Sequence, residues 1–187
     1  MNIEMASQVD ISKALPIGGW MSEDELTWLA SQAKTHRFIV EFGSFHGRSA
    51  RAIADNLPEY GKLWAVDPWS GDYIDTEGHT LKFTTYVMPH FVRNLNDHIA
   101  AGRVIPKRGY SYEFDLPFLV DMVFIDGDHR YETVRKDIRK AFTLLRVGGL
   151  ICGHDYEHNG WPGVKQAVDE LVGEVEVKDT IWSALKS

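Results

Sequence analysis

Apolar positions along the chain follow two periods. Short, nearly unbroken apolar runs, "RFIVEFG" (37–43), "KLWAVDP" (62–68), "LVDMVFID" (119–126) and "GLICGHD" (149–155), are predicted strands. "RVIPKRG" (103–109) is predicted as a further strand, with Pro106 counting against it. Between them the apolar residues recur at helical spacing. "SEDELTWLASQAK" (22–34) opens with Ser22 as an N-cap and Glu25 three positions on, a capping box. "RSARAIADNL" (48–57), "YETVRKDIRKAFTLLRV" (131–147) and "GVKQAVDELV" (163–172) are the other clear helices, the second of them stopped by Gly148 and Gly149. "LKFTTYVMPHFVRNLNDHIAAG" (81–102) is helical in pattern, with a break or kink expected at Pro89. "EVEVKDTIWSALK" (174–186) alternates and turns at "KDT", a terminal hairpin. Residues 1–20 are irregular, with a turn or flap at "PIGGW" (16–20).

Strands that alternate with helices predict a parallel sheet covered on both faces. The expected architecture is α/β, a Rossmann-like doubly wound sheet in one domain over 1–187, with an N-terminal flap and helix (1–36) ahead of a sheet core (37–187). Ligands in such sheets bind beyond the carboxyl ends of the strands. The residues there are Glu41 to Ser49, Asp67 to Trp69, Gly109 to Ser111, Asp126 to His129 and Gly153 to Asp155, a set rich in Asp, His, Ser and Gly. The loop "WSGDYIDTEGHT" (69–80) is long enough to expect a functional role.

Composition narrows the function classes. The chain has 187 residues, 44% hydrophobic and 25% charged, which suits one soluble domain. A formal net charge of −7 argues against broad binding to a nucleic-acid backbone. The single cysteine, Cys152, lies in an apolar run and reads as a buried core thiol, so no intrachain disulfide forms and a reducing compartment is expected. No apolar stretch approaches the roughly 18 residues of a membrane span, and the first residues lack a signal-peptide pattern, so the expected location is cytoplasmic. The sequence leaves open whether the chain forms a homodimer.

In "FGSFHG" two glycines, Gly43 and Gly47, frame the turn that leads into the second helix. They let backbone approach a ligand closely, and the helix directs its partly positive end there. Glu41 would repel a pyrophosphate but attract an ammonium or sulfonium group. Asp67, at the end of the second strand, is placed to accept from ribose hydroxyls. An adenosine ligand with a cationic tail, S-adenosylmethionine, fits all three features. The alternative is a nicotinamide dinucleotide and an oxidoreductase, and against it Phe45 stands where the glycine that admits a pyrophosphate would be. A module that keeps the fold and binds the cofactor without chemistry is a third possibility.

The segments "VEFGSFHGRSA", "WAVDPW", "RGYSYE", "VDMVFIDGDHRYETVRKDI" and "GGLICGHDY" resemble the class I S-adenosylmethionine-dependent methyltransferases, in the branch related to the macrocin and catechol O-methyltransferases. The resemblance spans roughly residues 37–172. It implies a mostly parallel seven-stranded sheet with an antiparallel strand in the C-terminal hairpin, and methyl transfer to the oxygen of a small hydroxylated acceptor. It implies cofactor contacts at Glu41, Gly43, Ser44, Gly47 and Ser49, at Asp67 for the ribose and at Ser111 near the adenine. Asp126 is a further candidate cofactor contact, and Trp69 is expected over the adenine face.

In metal-dependent relatives a divalent ion, Mg²⁺ or Mn²⁺, sits between the fourth and fifth strand ends. Asp126, His154 and Asp155 occupy the corresponding positions, and a histidine in that set either drops a ligand or favours a softer ion such as Mn²⁺, Zn²⁺ or Fe²⁺. Otherwise Asp126 bonds the cofactor or a helix end, and His154 orients a neighbour. His129 stands where some relatives carry a lysine base, which makes it the candidate general base, with Asp126 and His154 as the other catalytic candidates. Asp128 either joins this cluster or shapes the Asp-Gly-Asp turn. His46 either touches the methionine end or is simply exposed, and Trp20, Tyr73 and Trp161 are candidate walls of an acceptor pocket.

Overall fold

A computed structural model describes residues 8–70, 72–74, 80–82 and 87–187. Strand side chains project alternately to the two sheet faces, and both faces are apolar. In β1 (Phe38–Phe42), Ile39 points into one core cluster while Val40 and Phe42 point into the other. In β2 (Lys62–Asp67), Leu63 and Ala65 alternate with Trp64 and Val66 in the same way. A strand apolar on both sides must lie between two helical layers. One layer is α1 (Glu23–Ala33), α2 (Arg48–Asn56), α3 (Val87–Asn94) and α4 (Asn96–Ala100). The other is α5 (Tyr131–Leu144) and α6 (Pro162–Leu171).

The remaining strands of the main sheet are β5 (Val104–Arg108), β6 (Val120–Ile125), β7 (Leu145–Gly153), β8 (Glu176–Lys178) and β9 (Ile181–Leu185). Between β2 and α3 lie β3 (Asp72–Ile74) and β4 (Thr80–Lys82). The main sheet has the order β5-β2-β1-β6-β7-β9-β8. β5, β2, β1, β6 and β7 are parallel, and β9 runs antiparallel between β7 and β8. This is the doubly wound, mostly parallel seven-stranded sheet expected from the sequence. The chain builds outward from β1 through β2 to β5 and then returns to β6 on the other side of β1. The switch in direction therefore falls between β1 and β6, the position where such sheets hold ligands.

Three local expectations change. Pro89 does not break a helix; it sits in the first turn of α3, where its missing N–H is not needed. The break comes at Leu95, which starts α4. α5 ends at Leu144 instead of running to Gly148, because Leu145 is fully buried and already pairs with Val120 in β7. Arg146–Gly149 then form an irregularity inside β7, where the register against β6 shifts before Leu150 meets Met122. The 69–80 segment is not all loop: β3 and β4 pair there as an antiparallel ribbon. Pro106 is accommodated because β5 is an edge strand. Cys152 is fully buried, with Sγ 3.5 Å from the Val123 carbonyl oxygen, and burial pushes its pKa up, as expected of a core thiol. Among the described residues no helix is long and apolar enough to cross a membrane.

Candidate active site

The turn between β1 and α2 is held by two acids. Glu41 is completely buried, and its two carboxylate oxygens accept from the hydroxyls of Ser44 and Ser49. Burial pushes its pKa up to about 8 against those two hydrogen bonds, and the nearby charges of Asp126 and Asp67 add to the rise. Asp67 accepts the backbone N–H groups of Ser44 and Phe45 on one oxygen, both at 2.9 Å, and of Trp69 on the other, at 2.6 Å. Burial raises its pKa, opposed by those amides. Both acids expected to face a ligand thus also act as internal staples of the turn that would receive it.

Each glycine has its own steric reason. Gly43 has φ +85°, and a Cβ there would come within 2.1 Å of the Asp126 carbonyl oxygen. The turn is therefore pressed directly against the end of β6. Gly47 has φ +88°, and its Cβ would meet Leu95 Cδ2 at 2.5 Å. Close packing of α3 and α4, rather than ligand approach alone, requires glycine at 47. The N-terminal segment closes over the same turn, because the Arg48 guanidinium donates to the carbonyls of Leu15, Ile17 and Met21.

Two expected cofactor contacts have partners within the protein. Trp69 is only 5% exposed; its indole N–H donates to the Phe45 carbonyl at 2.9 Å and its ring packs on Phe91 at 4.9 Å. It is part of the core under the turn and is not a free platform for adenine. The Ser111 hydroxyl donates to Asp137, a buried acid of α5 whose pKa burial pushes up to about 7. Asp128 binds the Arg130 backbone N–H and guanidinium, which is the turn-shaping alternative.

The strand ends of β6 and β7 do bring the acidic and histidine residues together. His129 Nε2 lies 2.8 Å from Asp155 Oδ2 and 3.8 Å from Asp126 Oδ1. His154 Nδ1 lies 3.1 Å from Asp155 Oδ2 and 3.5 Å from Asp126 Oδ1. Its other nitrogen, Nε2, faces Glu25 at 3.2 Å. Both Nε2 atoms are buried, and neither is aligned for a hydrogen bond to the carboxylate it approaches. Burial opposes charge on both rings, but the surrounding carboxylates outweigh it and push His129 up to about 9 and His154 to about 12. Asp155 and Asp126 are correspondingly held below the usual carboxylate range despite burial. Trp161 stacks on His129 with centroids 4.5 Å apart, and Asp155 adopts φ +63° to reach the cluster. A cavity of about 10 Å³ lies beside Asp126, His129 and His154, room on the scale of a single small ion or water.

Trp20 is largely exposed and packs against Phe45 at 5.4 Å. The side chain of Tyr73 lies outside the described residues. Glu25 and Asp137 were not expected here. The sequence marks Glu25 only as part of a capping box and does not single out Asp137. Each, however, falls on the apolar stripe of its helix, Glu25 beside Leu26 and Leu29, Asp137 beside Val134, Ile138 and Ala141. An acid at a core-facing helical position was the available signal.

Comparisons with known proteins give the fold and the family. A curated relative, the uncharacterized protein R132 of Acanthamoeba polyphaga mimivirus, is 29% identical over 147 residues, 73% of this chain. The chain spans about 60% of that relative's length. Among solved structures, the O-methyltransferase of Bacillus cereus in complex with SAH superposes with a TM-score of 0.67 at 16% identity, covering 94% of this chain and 87% of the other. The O-methyltransferase TomG of Streptomyces achromogenes, involved in tomaymycin synthesis and solved with SAM, gives 0.64 at 18% identity, covering 90% and 82%. These two establish a shared fold. The model of a methyltransferase domain matches residues 40–156, which take in the glycine turn, Asp67 and the whole Asp126–Asp155 cluster, and the chain belongs to that family.

Proposed function

We propose that the protein binds S-adenosylmethionine against the β1–α2 turn and transfers its methyl group to the oxygen of a small hydroxylated molecule. The observation that carries this is the contact between the two halves of the site. The turn backs onto Asp126 so closely that no side chain fits at Gly43, and Asp126 belongs to the cluster with His129, His154 and Asp155. A donor on the turn and an acceptor at the cluster are then neighbours. In the reaction the acceptor oxygen attacks the sulfonium methyl, a C–O bond forms as the C–S bond breaks, and S-adenosylhomocysteine leaves. The hydroxyl proton would pass to His129 in its neutral form, the minor form below its pKa of about 9, and Asp155 beside it would stabilise the resulting imidazolium. Net charge −7 favours a small acceptor over a nucleic acid.

With His154 in its neutral form the same cluster would hold a divalent ion. Asp126, His154 and Asp155 each offer a ligand atom, all within 4.8 Å of one another. Two carboxylates with one imidazole suit Mn²⁺ better than Mg²⁺. Bound there, the ion would act as a Lewis acid on the acceptor oxygen. Glu25, behind His154, would fix the ring that serves as ligand.

The test is a thermal-shift titration followed by transfer of labelled methyl to a panel of phenols and sugars, with and without Mn²⁺. S-adenosylhomocysteine is expected to raise the melting temperature. A shift with NADH and none with S-adenosylhomocysteine would sink the proposal.

A further inference from the structure

Beside the glycine turn, at His46, lies an open cleft of about 370 Å³, within the size range of small-molecule sites. Its walls are the N-terminal segment at Lys13 and Ile17, turn residue His46, Arg51 of α2, and His90 and Arg93 of α3. In a chain of net charge −7 this is a local concentration of basic groups.

The acids nearby account for only part of it. Asp97 takes Arg51 at 2.7 Å and Lys13 at 3.7 Å. Asp55 takes Arg51 at 2.8 Å and His98 at 2.7 Å. Arg93 is exposed and makes no ion pair to a carboxylate among the described residues; it meets Nδ1 of His90 at 3.2 Å. The His46 and His90 rings lie 5.2 Å apart, and Nε2 of His46 is buried without a hydrogen-bond partner. His46 is also firmly placed. Its carbonyl accepts from Asn94 at 2.9 Å, and its ring stacks on Phe45 at 3.9 Å. A guanidinium with no carboxylate partner among the described residues, the neighbouring His90 imidazole and the fixed His46 imidazole in the cleft wall form a donor set for an oxyanion.

We propose that this cleft binds the oxyanion end, a phosphate monoester or a carboxylate, of the small molecule methylated at the neighbouring site, with Arg93, His46 and His90 as its donors. The identity of that molecule as methyl acceptor rests on the proposed function; the binding of the anion does not. Because His46 belongs to the turn itself, the anion would be held against the cofactor-binding element and would orient the acceptor relative to the methyl group.

The experiment is a titration of the full chain with inorganic phosphate, and separately with acetate, followed by NMR of the histidine ring signals. A parallel thermal-shift series uses S-adenosylhomocysteine. Saturable shifts of the His46 and His90 rings are expected with one anion, and that anion distinguishes the phosphate source from the carboxylate source. Arg93→Gln, at an exposed position, is expected to weaken that binding about tenfold, as loss of a charge-assisted contact does. His90→Asn is expected to weaken it in the same direction. The proposal is overturned if neither anion shifts the rings saturably, or if Arg93→Gln leaves the affinity unchanged. Anion binding without any response to S-adenosylhomocysteine would overturn the acceptor assignment alone.

Discussion

Oε1 of Glu25 stands 3.2 Å from Nε2 of His154, so the acid that closes the capping box of α1 is also the outer partner of a histidine at the tip of β7. The same carboxylate accepts the backbone N–H of Ser22 on one oxygen and the Thr180 hydroxyl, at 2.7 Å, on the other. One buried side chain therefore ties the first helix, the terminal hairpin and the candidate active site together. His154 holds Glu25 well below the usual carboxylate range in spite of burial.

Removing this charge should be felt in stability before chemistry. Glu25→Gln keeps the volume but removes one of the three carboxylates around His154, leaving Asp126 and Asp155, and is expected to destabilise the fold by about 1–3 kcal/mol. Urea denaturation checks it. A change below about 0.5 kcal/mol would show that the contact with His154 carries no weight.

The two glycines of the turn should differ in tolerance. Gly43→Ala brings a Cβ against the Asp126 backbone, which cannot move without disturbing β6, whereas Gly47→Ala meets the Leu95 and Phe91 side chains. Both adopt positive φ, which alone disfavours alanine. Gly43→Ala is expected to prevent folding or lower stability by more than about 4 kcal/mol, and Gly47→Ala by about 2–3 kcal/mol. Equal melting temperatures for the two variants would contradict the geometry.

Asp67 should be sensitive even to its amide. In Asp67→Asn an NH₂ group replaces one of two oxygens that together accept three backbone N–H groups. A loss of about 1–3 kcal/mol is expected from the donor left facing another donor. S-adenosylhomocysteine affinity, measured by calorimetry, should fall at least about tenfold as the turn loosens.

Asp137 gives a pH signature. Burial raises its carboxyl to about 7 in the fold, from an ordinary value of 3.8. The contribution to stability is therefore complete below pH 3.8 and is lost as pH rises to about 7, because the folded state must then hold a buried charge. Asp137→Asn removes that loss. Relative to the parent, the variant is expected to be more stable at pH 8 than at pH 5, by a difference on the order of 2 kcal/mol. Parallel urea midpoints at the two pH values decide it; a constant difference would mean Asp137 ionises normally.

The sequence by itself determined the layered α/β fold, because period-two strands apolar on both faces and helices with one apolar stripe leave few other arrangements. Ser22 and Glu25 announced the start of α1, and the order of the segments ending in Gly43, Asp67, Asp126 and Asp155 already placed them at one end of a parallel sheet. Helix and strand limits near Leu145 and Pro89 were not legible, since they depend on which partner an apolar residue finds across the sheet and on where in a helical turn a proline falls. Tertiary structure alone decided that Trp69 is core, that Ser111 serves Asp137, and that Glu25 reaches His154. Those are contacts between residues distant in the chain, and local periodicity carries no information about which buried donor will meet which buried acceptor.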